Sequence, residues 1–421
     1  MSIIKYDFDK ITDRRGTGSF KWDVAEGELP MWVADMDFEA APEILEALKK
    51  RLDHGIFGYS VIPDEWYDAY IHWWQSRHDY GIKREEMIFC TGVVPAISSI
   101  VRKLTTPNEN VVILTPVYNI FFNSIINNGA RVLECPLLYR RGDICSSGER
   151  TEQTGNGCAQ DAQEYGIDWE NLEKALADPQ TSLMIFCNPH NPVGRIWSRD
   201  EIGKVGVLCK KYGVTVISDE IHCDLTRPGT EYVPFPNVSE ECADICIQCI
   251  APTKTFNIAG MQTAAVCIKN PFLRHKVWRA LNTDEVAEPN VFAVPAAVAA
   301  FERGGAWLDE LREYVFENRR IVGEFLEREI PCLHAVRADA TYLIWIDVSG
   351  ISPDGTEFTE YLRQKTGLKV TEGEEYGKCG KAFFRLNVAA PRSVVEDGLS
   401  RLKRGTEMYC EEHKCYINEQ S

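Results

Sequence analysis

Positive charge is in short supply in this sequence: 46 lysines and arginines stand against 63 aspartates and glutamates, a net charge of −17. A field of that sign repels a phosphate backbone, and no basic extension offsets it, so no nucleic-acid partner is expected. A small anionic ligand is still admissible, because a few local arginines override the average. Long apolar runs are lacking too. None approaches the roughly 20 residues that span a bilayer, so no membrane partner is expected. The opening stretch "MSIIKYDFDKITDRRGTGSF" has no apolar core of signal-peptide length and carries charge from Lys5 onward, so the expected location is cytoplasmic. Internal repeats are absent as well.

What the chain does have is length and core. Its 421 residues suggest two or three domains, and 44% hydrophobic with 26% charged residues is an ordinary globular balance. The 15 cysteines are odd in number and scattered, many in apolar runs (Cys90, Cys187, Cys267), which reads as reduced, buried small hydrophobes. One group needs its own answer. "CADICIQC" places Cys242, Cys246 and Cys249 at the C-x3-C-x2-C spacing of some iron–sulfur enzymes. The run Ile245–Ile250 is β-prone, however, and on a strand Cys246 and Cys249 point to opposite faces and cannot converge on one cluster.

From about residue 85 to 270, short apolar strands alternate with helical patterns. Expected strands are 87–90, 111–114, 131–135, 183–187, 214–218, 245–250 and 264–268. The stretch "SRDEIGKVGVLCKKYG" has a Ser cap and a terminal Gly213, so it reads as a helix between two of them. Doubly buried strands separated by helices predict an α/β fold with a mostly parallel, seven-stranded sheet, whose ligands sit at the carboxyl ends of strands. A long helix at 306–329, "TYLIWIDV", a helix near 355–366 and "AFFRLNVA" then suggest a smaller α+β domain. The expected division is a large domain over 46–288 and a small one from 1–45 and 289–421. Residues 140–165, rich in Gly, Ser, Thr and Gln, read as a mobile surface insertion.

Three strand-like runs end in polar residues. "LMIFCNPHNPVG" brings Asn188 and Asn191, "VTVISDEIH" brings Asp219 and His222, and "ICIQCIAPTK" brings Thr253 and Lys254. Singly these are turns, caps and solvated ends. Together, at the same kind of strand end, they describe one site. Lys254 lies between apolar runs, where burial penalises an ammonium, so it is either a snorkelling surface residue or a buried amine tuned for chemistry. Pyridoxal phosphate (PLP) needs a lysine for its aldehyde, a carboxylate for its ring nitrogen, donors for its hydroxyl and N–H groups for its phosphate. "FCTGVVPAISSIVRKL" offers the last: Gly92 follows a strand, Pro95 marks a helix start, and the N–H groups of Gly92 and Val93 face an anion.

The chain resembles fold-type I PLP enzymes of the class I/II aminotransferase superfamily, and within it the cystathionine β-lyase-like C–S lyases of the MalY/PatB type. The resemblance rests on "LPMWVADMDFEAAPEILEAL", "HGIFGYS", "TGVVPAI", "TPVYNIFF", "NPHNPVGR", "SDEIHCDL", "TKTFNIAGMQ" and "FRLNVAAPR", which together cover nearly the whole chain. It implies that Lys254 holds PLP covalently and serves as base, that Asp219 pairs with the ring nitrogen, and that Asn191 and His222 stand near the ring hydroxyl. Tyr118 would stack on the ring. Gly92, Val93 and Thr253 would bind the phosphate, joined by Tyr59 from a neighbouring subunit, hence a homodimer with shared sites. Arg385 would take the substrate carboxylate, with Ala34, Tyr59 and Asn191 lining the substrate. In "AFFRLNVA", Phe384, Leu386 and Val388 alternate to one face and leave Arg385 and Asn387 on the other.

Two positions depart from the broader superfamily: Gln262 stands where an arginine is common, and Ala251 where a phosphate-binding serine is common. The implied activity is α,β-elimination of L-cystathionine or related cysteine S-conjugates to a thiol, pyruvate and ammonia. An aminotransferase is the nearest alternative, and a PLP-binding regulatory protein acting on a transcription factor is the next.

Overall fold

Seven apolar runs lie side by side in one sheet. The structure, a computed structural model, describes residues 6–141, 144–145 and 164–414. Its main sheet is built from β1 (Met87–Cys90), β2 (Asn110–Thr115), β3 (Arg131–Pro136), β4 (Thr181–Cys187), β5 (Thr215–Asp219), β6 (Cys246–Ile250) and β7 (Ala264–Cys267). Their order across the sheet is β1-β7-β6-β5-β4-β2-β3. All pairings are parallel except those of β7, which runs antiparallel to both neighbours. The expected α/β fold with a mostly parallel seven-stranded sheet is what forms.

Alternation along the strands feeds two separate cores. Val112, Leu114, Met184, Phe186 and Val216 enter the cluster on one face. Val111, Ile113, Leu183, Ile185 and Ile217 enter the cluster on the other. This period of two, apolar on both faces, is why these runs form central strands. It also disposes of the cysteine group: Cys242 and Cys246 belong to the first cluster and Cys249 to the second. The cysteines named above as buried, Cys90, Cys187 and Cys267, are buried free thiols.

Helices are set by their caps as well as their faces. We label them α1 (Pro42–Asp53), α2 (Asp64–His78), α3 (Val93–Leu104), α4 (Arg199–Tyr212), α5 (Ala293–Arg303), α6 (Gly305–Glu329), α7 (Gly355–Thr366) and α8 (Arg392–His413). In α4 the Ser198 hydroxyl accepts from Glu201 N–H, and the Glu201 carboxylate accepts from Ser198 N–H. The helix stops at Gly213, whose φ of 71° suits glycine.

A second, antiparallel sheet contains β8 (His334–Ala335), β9 (Leu343–Asp347), β10 (Thr371–Glu372) and β11 (Phe383–Asn387), in the order β8-β9-β11-β10. Val322 and Leu326 of α6, Phe358 and Leu362 of α7, and Leu399 and Leu402 of α8 cover Ile344, Ile346, Phe384 and Leu386. The early segment Leu29–Pro30 adds a parallel pairing with Leu368–Lys369. Most of the expected insertion, residues 142–143 and 146–163, lies outside the described residues.

Candidate active site

Strand register assembles the site. Cys187 of β4, Asp219 of β5 and Cys249 of β6 are direct neighbours, so the residues that follow these strands emerge at one edge of the sheet. After β6 the chain makes one helical turn, Pro252–Thr255, which presents Lys254. Lys254 is half-buried, and its Nζ donates to the Ala34 carbonyl at 2.6 Å. Burial, reinforced by the Arg385 guanidinium, lowers its pKa to about 8, against the opposing pull of Asp35 and Asp219.

Asp219 is buried, and its carboxyl is pushed up to about 7, chiefly by burial and further by Glu220. Ile221 N–H donates to its Oδ1 at 3.1 Å, and no donor among the described residues reaches Oδ2. His222, also buried, is pushed down to about 3 by burial and by the charges of Lys254 and Arg385, so its imidazole is neutral. Its Nδ1 has no hydrogen-bond partner. Tyr118 is half-buried at the edge of the same cleft, and burial raises its phenol.

Arg385 sits on β11, in the other sheet, with only 4% of its surface exposed. Its Nη1 donates to Asn191 Oδ1 at 3.2 Å and its Nη2 to the Trp32 carbonyl at 3.0 Å. The Tyr376 ring lies beneath it, 4.9 Å from Cζ. Its Nε is buried without a partner. A guanidinium held this way keeps one edge for a planar anion such as a carboxylate.

The segment 32–38 forms the remaining wall, and the other sequence motifs hold it in place. Asn387 Nδ2 donates to the carbonyls of Val33 and Asp35, at 2.6 and 2.7 Å. Asn257 accepts from Met36 N–H and donates to the carbonyls of Met36 and Phe38. Tyr342 OH shares the Ala34 carbonyl with Lys254, at 3.0 Å. On the outer side, Arg14 pairs with Asp35 and Asp37, and the buried Lys21 pairs with Asp37, each at 2.7 Å. The carbonyl facing Lys254 is thus positioned from three directions.

The remaining expected residues fall in two groups. Gly92 is the N-cap of α3 and Val93 its first residue; no side chain caps this helix and its first turn has no acid, so its N–H groups suit an anion. Thr253 is buried beside Lys254. Ala251 caps the lysine turn without a side-chain bond, and Gln262 is exposed in a left-handed conformation, φ 53°. Tyr59 is fully exposed and is not brought to this chain's own cleft.

A family model for class I and II aminotransferases matches residues 29–402. The chain belongs to this family. Among its relatives, cystathionine β-lyase PatB of Bacillus subtilis is 42% identical over 404 residues, covering 94% of this chain and 99% of that one. Protein MalY of Escherichia coli is 33% identical, covering 94% and 98%. The crystal structure of cystalysin from Treponema denticola, which contains pyridoxal 5′-phosphate, matches with a TM-score of 0.88 at 35% identity, over 96% of this chain and 99% of that one. Within this family frame, four cleft residues escaped sequence reasoning: Trp32, Asn257, Tyr342 and Tyr376. Trp32, Asn257 and Tyr342 lie in quoted stretches, but the Trp32 carbonyl accepts from the Arg385 side chain and Asn257 and Tyr342 bond the backbone of Ala34–Phe38, partners far away in sequence that no residue pattern announces.

Proposed function

We propose that this protein is a PLP-dependent carbon–sulfur lyase that eliminates a thiol from L-cystathionine or a related cysteine S-conjugate, leaving pyruvate and ammonia. The observation that carries this reading is the convergence of Lys254, Asp219 and Arg385 on one cleft, in a chain so similar to PatB. The cleft fits the cofactor on its own terms. It has a lysine bonded only to a carbonyl, a buried carboxyl with an oxygen that no donor reaches, and a neutral His222 with an unpartnered Nδ1.

In this reading Lys254 anchors the cofactor through Nζ, and Asp219 holds the proton at the ring nitrogen. Asn191 and His222 would bind the ring hydroxyl, Tyr118 would pack on the ring, and Gly92, Val93 and Thr253 would hold the phosphate. When bound, PLP supplies an electron-poor ring that makes the substrate Cα–H acidic. Arg385 fixes the substrate carboxylate and thereby points the Cα–H toward Lys254. With a pKa of about 8, Lys254 has an appreciable unprotonated fraction near neutrality and takes the Cα proton. The sulfur then leaves Cβ with its bonding pair and takes up a proton, and the aminoacrylate that is released is hydrolysed by water to pyruvate and ammonia. Asn191 spans both functions, because its Oδ1 also accepts from Arg385.

The working unit in this reading is a homodimer in which Tyr59 of one copy completes the phosphate site of the other. Its full exposure, among the exposed Ile56, Phe57 and Val61, supports that role. No helix among the described residues is long and apolar enough to cross a membrane. The acidic net charge and buried free thiols support a cytoplasmic protein without nucleic-acid or membrane partners.

The test is direct. Purified, cofactor-loaded protein is incubated with L-cystathionine or L-cystine and no 2-oxo acid, and pyruvate and free thiol are followed. Both should accumulate together. Activity that appears only on adding a 2-oxo acid would make the protein an aminotransferase instead.

A further inference from the structure

Two loops meet beside Arg385. One follows β2 and carries Tyr118 and Asn119; the other is the short turn Gly373–Tyr376 that follows β10. They are joined twice. Val117 N–H donates to the Tyr376 carbonyl at 2.9 Å, and Asn119 Nδ2 donates to Glu375 Oε2 at 2.8 Å. The turn is closely packed, since a Cβ on Gly373 would clash with the carbonyl oxygens of Gly380 and Phe383.

Glu375 is therefore held at the rim, one residue from the ring that lies beneath Arg385. Solvent reaches it, yet partial burial raises its carboxyl pKa, while the Arg385 guanidinium and the Asn119 amide pull it back. No lysine or arginine among the described residues forms an ion pair with it. Glu372 and Glu374 on the same stretch add charge of the same sign. Elsewhere around the cleft, Trp32 and Ala34 give their carbonyls to Arg385 and Lys254. A substrate with its carboxylate on Arg385 lies beside this rim, since Glu375 is within Coulomb reach of that guanidinium.

We infer that Glu375, oriented by Asn119, reads the charge of the leaving group and favours cysteine S-conjugates whose thiol portion ends in an ammonium. This rests on the lyase reading above and narrows its substrate class. L-Cystathionine and L-cystine both carry such an ammonium, whereas S-alkyl cysteines do not. An anionic thiol portion meets an unpaired carboxylate and is disfavoured.

Three probes of similar length separate the cases: S-(2-aminoethyl)-, S-propyl- and S-(2-carboxyethyl)-L-cysteine, each offered to the loaded wild-type and Glu375→Gln proteins. In the wild type, kcat/KM should fall in that order. In Glu375→Gln the aminoethyl-to-propyl ratio should drop by about two- to fivefold, the worth of one exposed ion pair, with the change mainly in KM. Dissociation constants of the aminoethyl and propyl compounds on loaded Lys254→Ala protein, with and without Glu375→Gln, should shift by the same factor. An unchanged ratio, or a loss equal for all three probes, overturns the role of Glu375. If neither the three probes nor L-cystathionine releases thiol, the lyase reading is overturned instead.

Discussion

Asp219→Asn should stabilise the cofactor-free protein at alkaline pH while abolishing its catalysis. Burial pushes the Asp219 carboxyl up to about 7, Glu220 adds to the rise, and the Ile221 N–H and Lys254 only partly oppose it. In the unfolded chain the same group titrates at about 3.9. The native state therefore binds this proton more tightly than the unfolded state. Its contribution to stability is complete below about pH 4, shrinks as pH rises, and is gone above about pH 7. Across that whole window the contribution amounts to about 4 kcal/mol, of which about 2–3 kcal/mol falls between pH 5 and pH 8.

Asparagine has no proton to lose and keeps an oxygen for the Ile221 N–H. In urea unfolding of cofactor-free protein followed by tryptophan fluorescence, the advantage of Asp219→Asn over wild type should grow by about 2–3 kcal/mol from pH 5 to pH 8. Saturating PLP should reverse the ranking at pH 8, because a ring-nitrogen proton partners the wild-type carboxylate alone. A growth below about 0.5 kcal/mol would refute the reasoning, since the carboxyl would then ionise in the cleft at no cost.

Lys254 should impose an ascending limb near pH 8 on kcat, because its depressed pKa governs the unprotonated amine; a flat profile from pH 6 to 9 would exclude it as base. Asn387→Ala removes three hydrogen bonds, to Val33 O, Asp35 O and Ala389 N–H, and should cost about 3 kcal/mol in urea unfolding. The same variant should lower kcat/KM, since the Ala34 carbonyl loses its support. Mixing inactive Tyr59→Ala and Lys254→Ala proteins under subunit exchange should restore activity, through heterodimers that keep one intact site; no recovery would remove Tyr59 from the shared site.

Much of the architecture was readable because it is local. β1 was expected at its observed bounds, and the other six strands within two residues of theirs, because a doubly buried strand is a short apolar run ended by a turn. Lys254, Asp219 and Asn191 were visible for the same reason: each follows such a run, and parallel strands in register bring their carboxyl ends together. The reversed direction of β7 was not visible, since strand polarity depends on the path of the connection rather than on the strand's residues. The Cys242–Cys249 group shows both sides: the spacing suggested a cluster, and the period of a strand decided against it.

Residue chemistry alone therefore settled the fold class and nominated the lysine and the carboxylate, because burial periodicity and strand-end polarity are written in consecutive residues; the arginine came from the family resemblance. Folding decided how those groups are tuned. The Ala34 carbonyl meets Lys254 across 220 positions and Tyr342 across 308. Arg385 reaches Asn191 from the other sheet, 194 positions away. Desolvation and Coulomb interactions depend on what surrounds a group in space, so the pKa values of Lys254, Asp219 and His222 were set only when these distant segments closed around them.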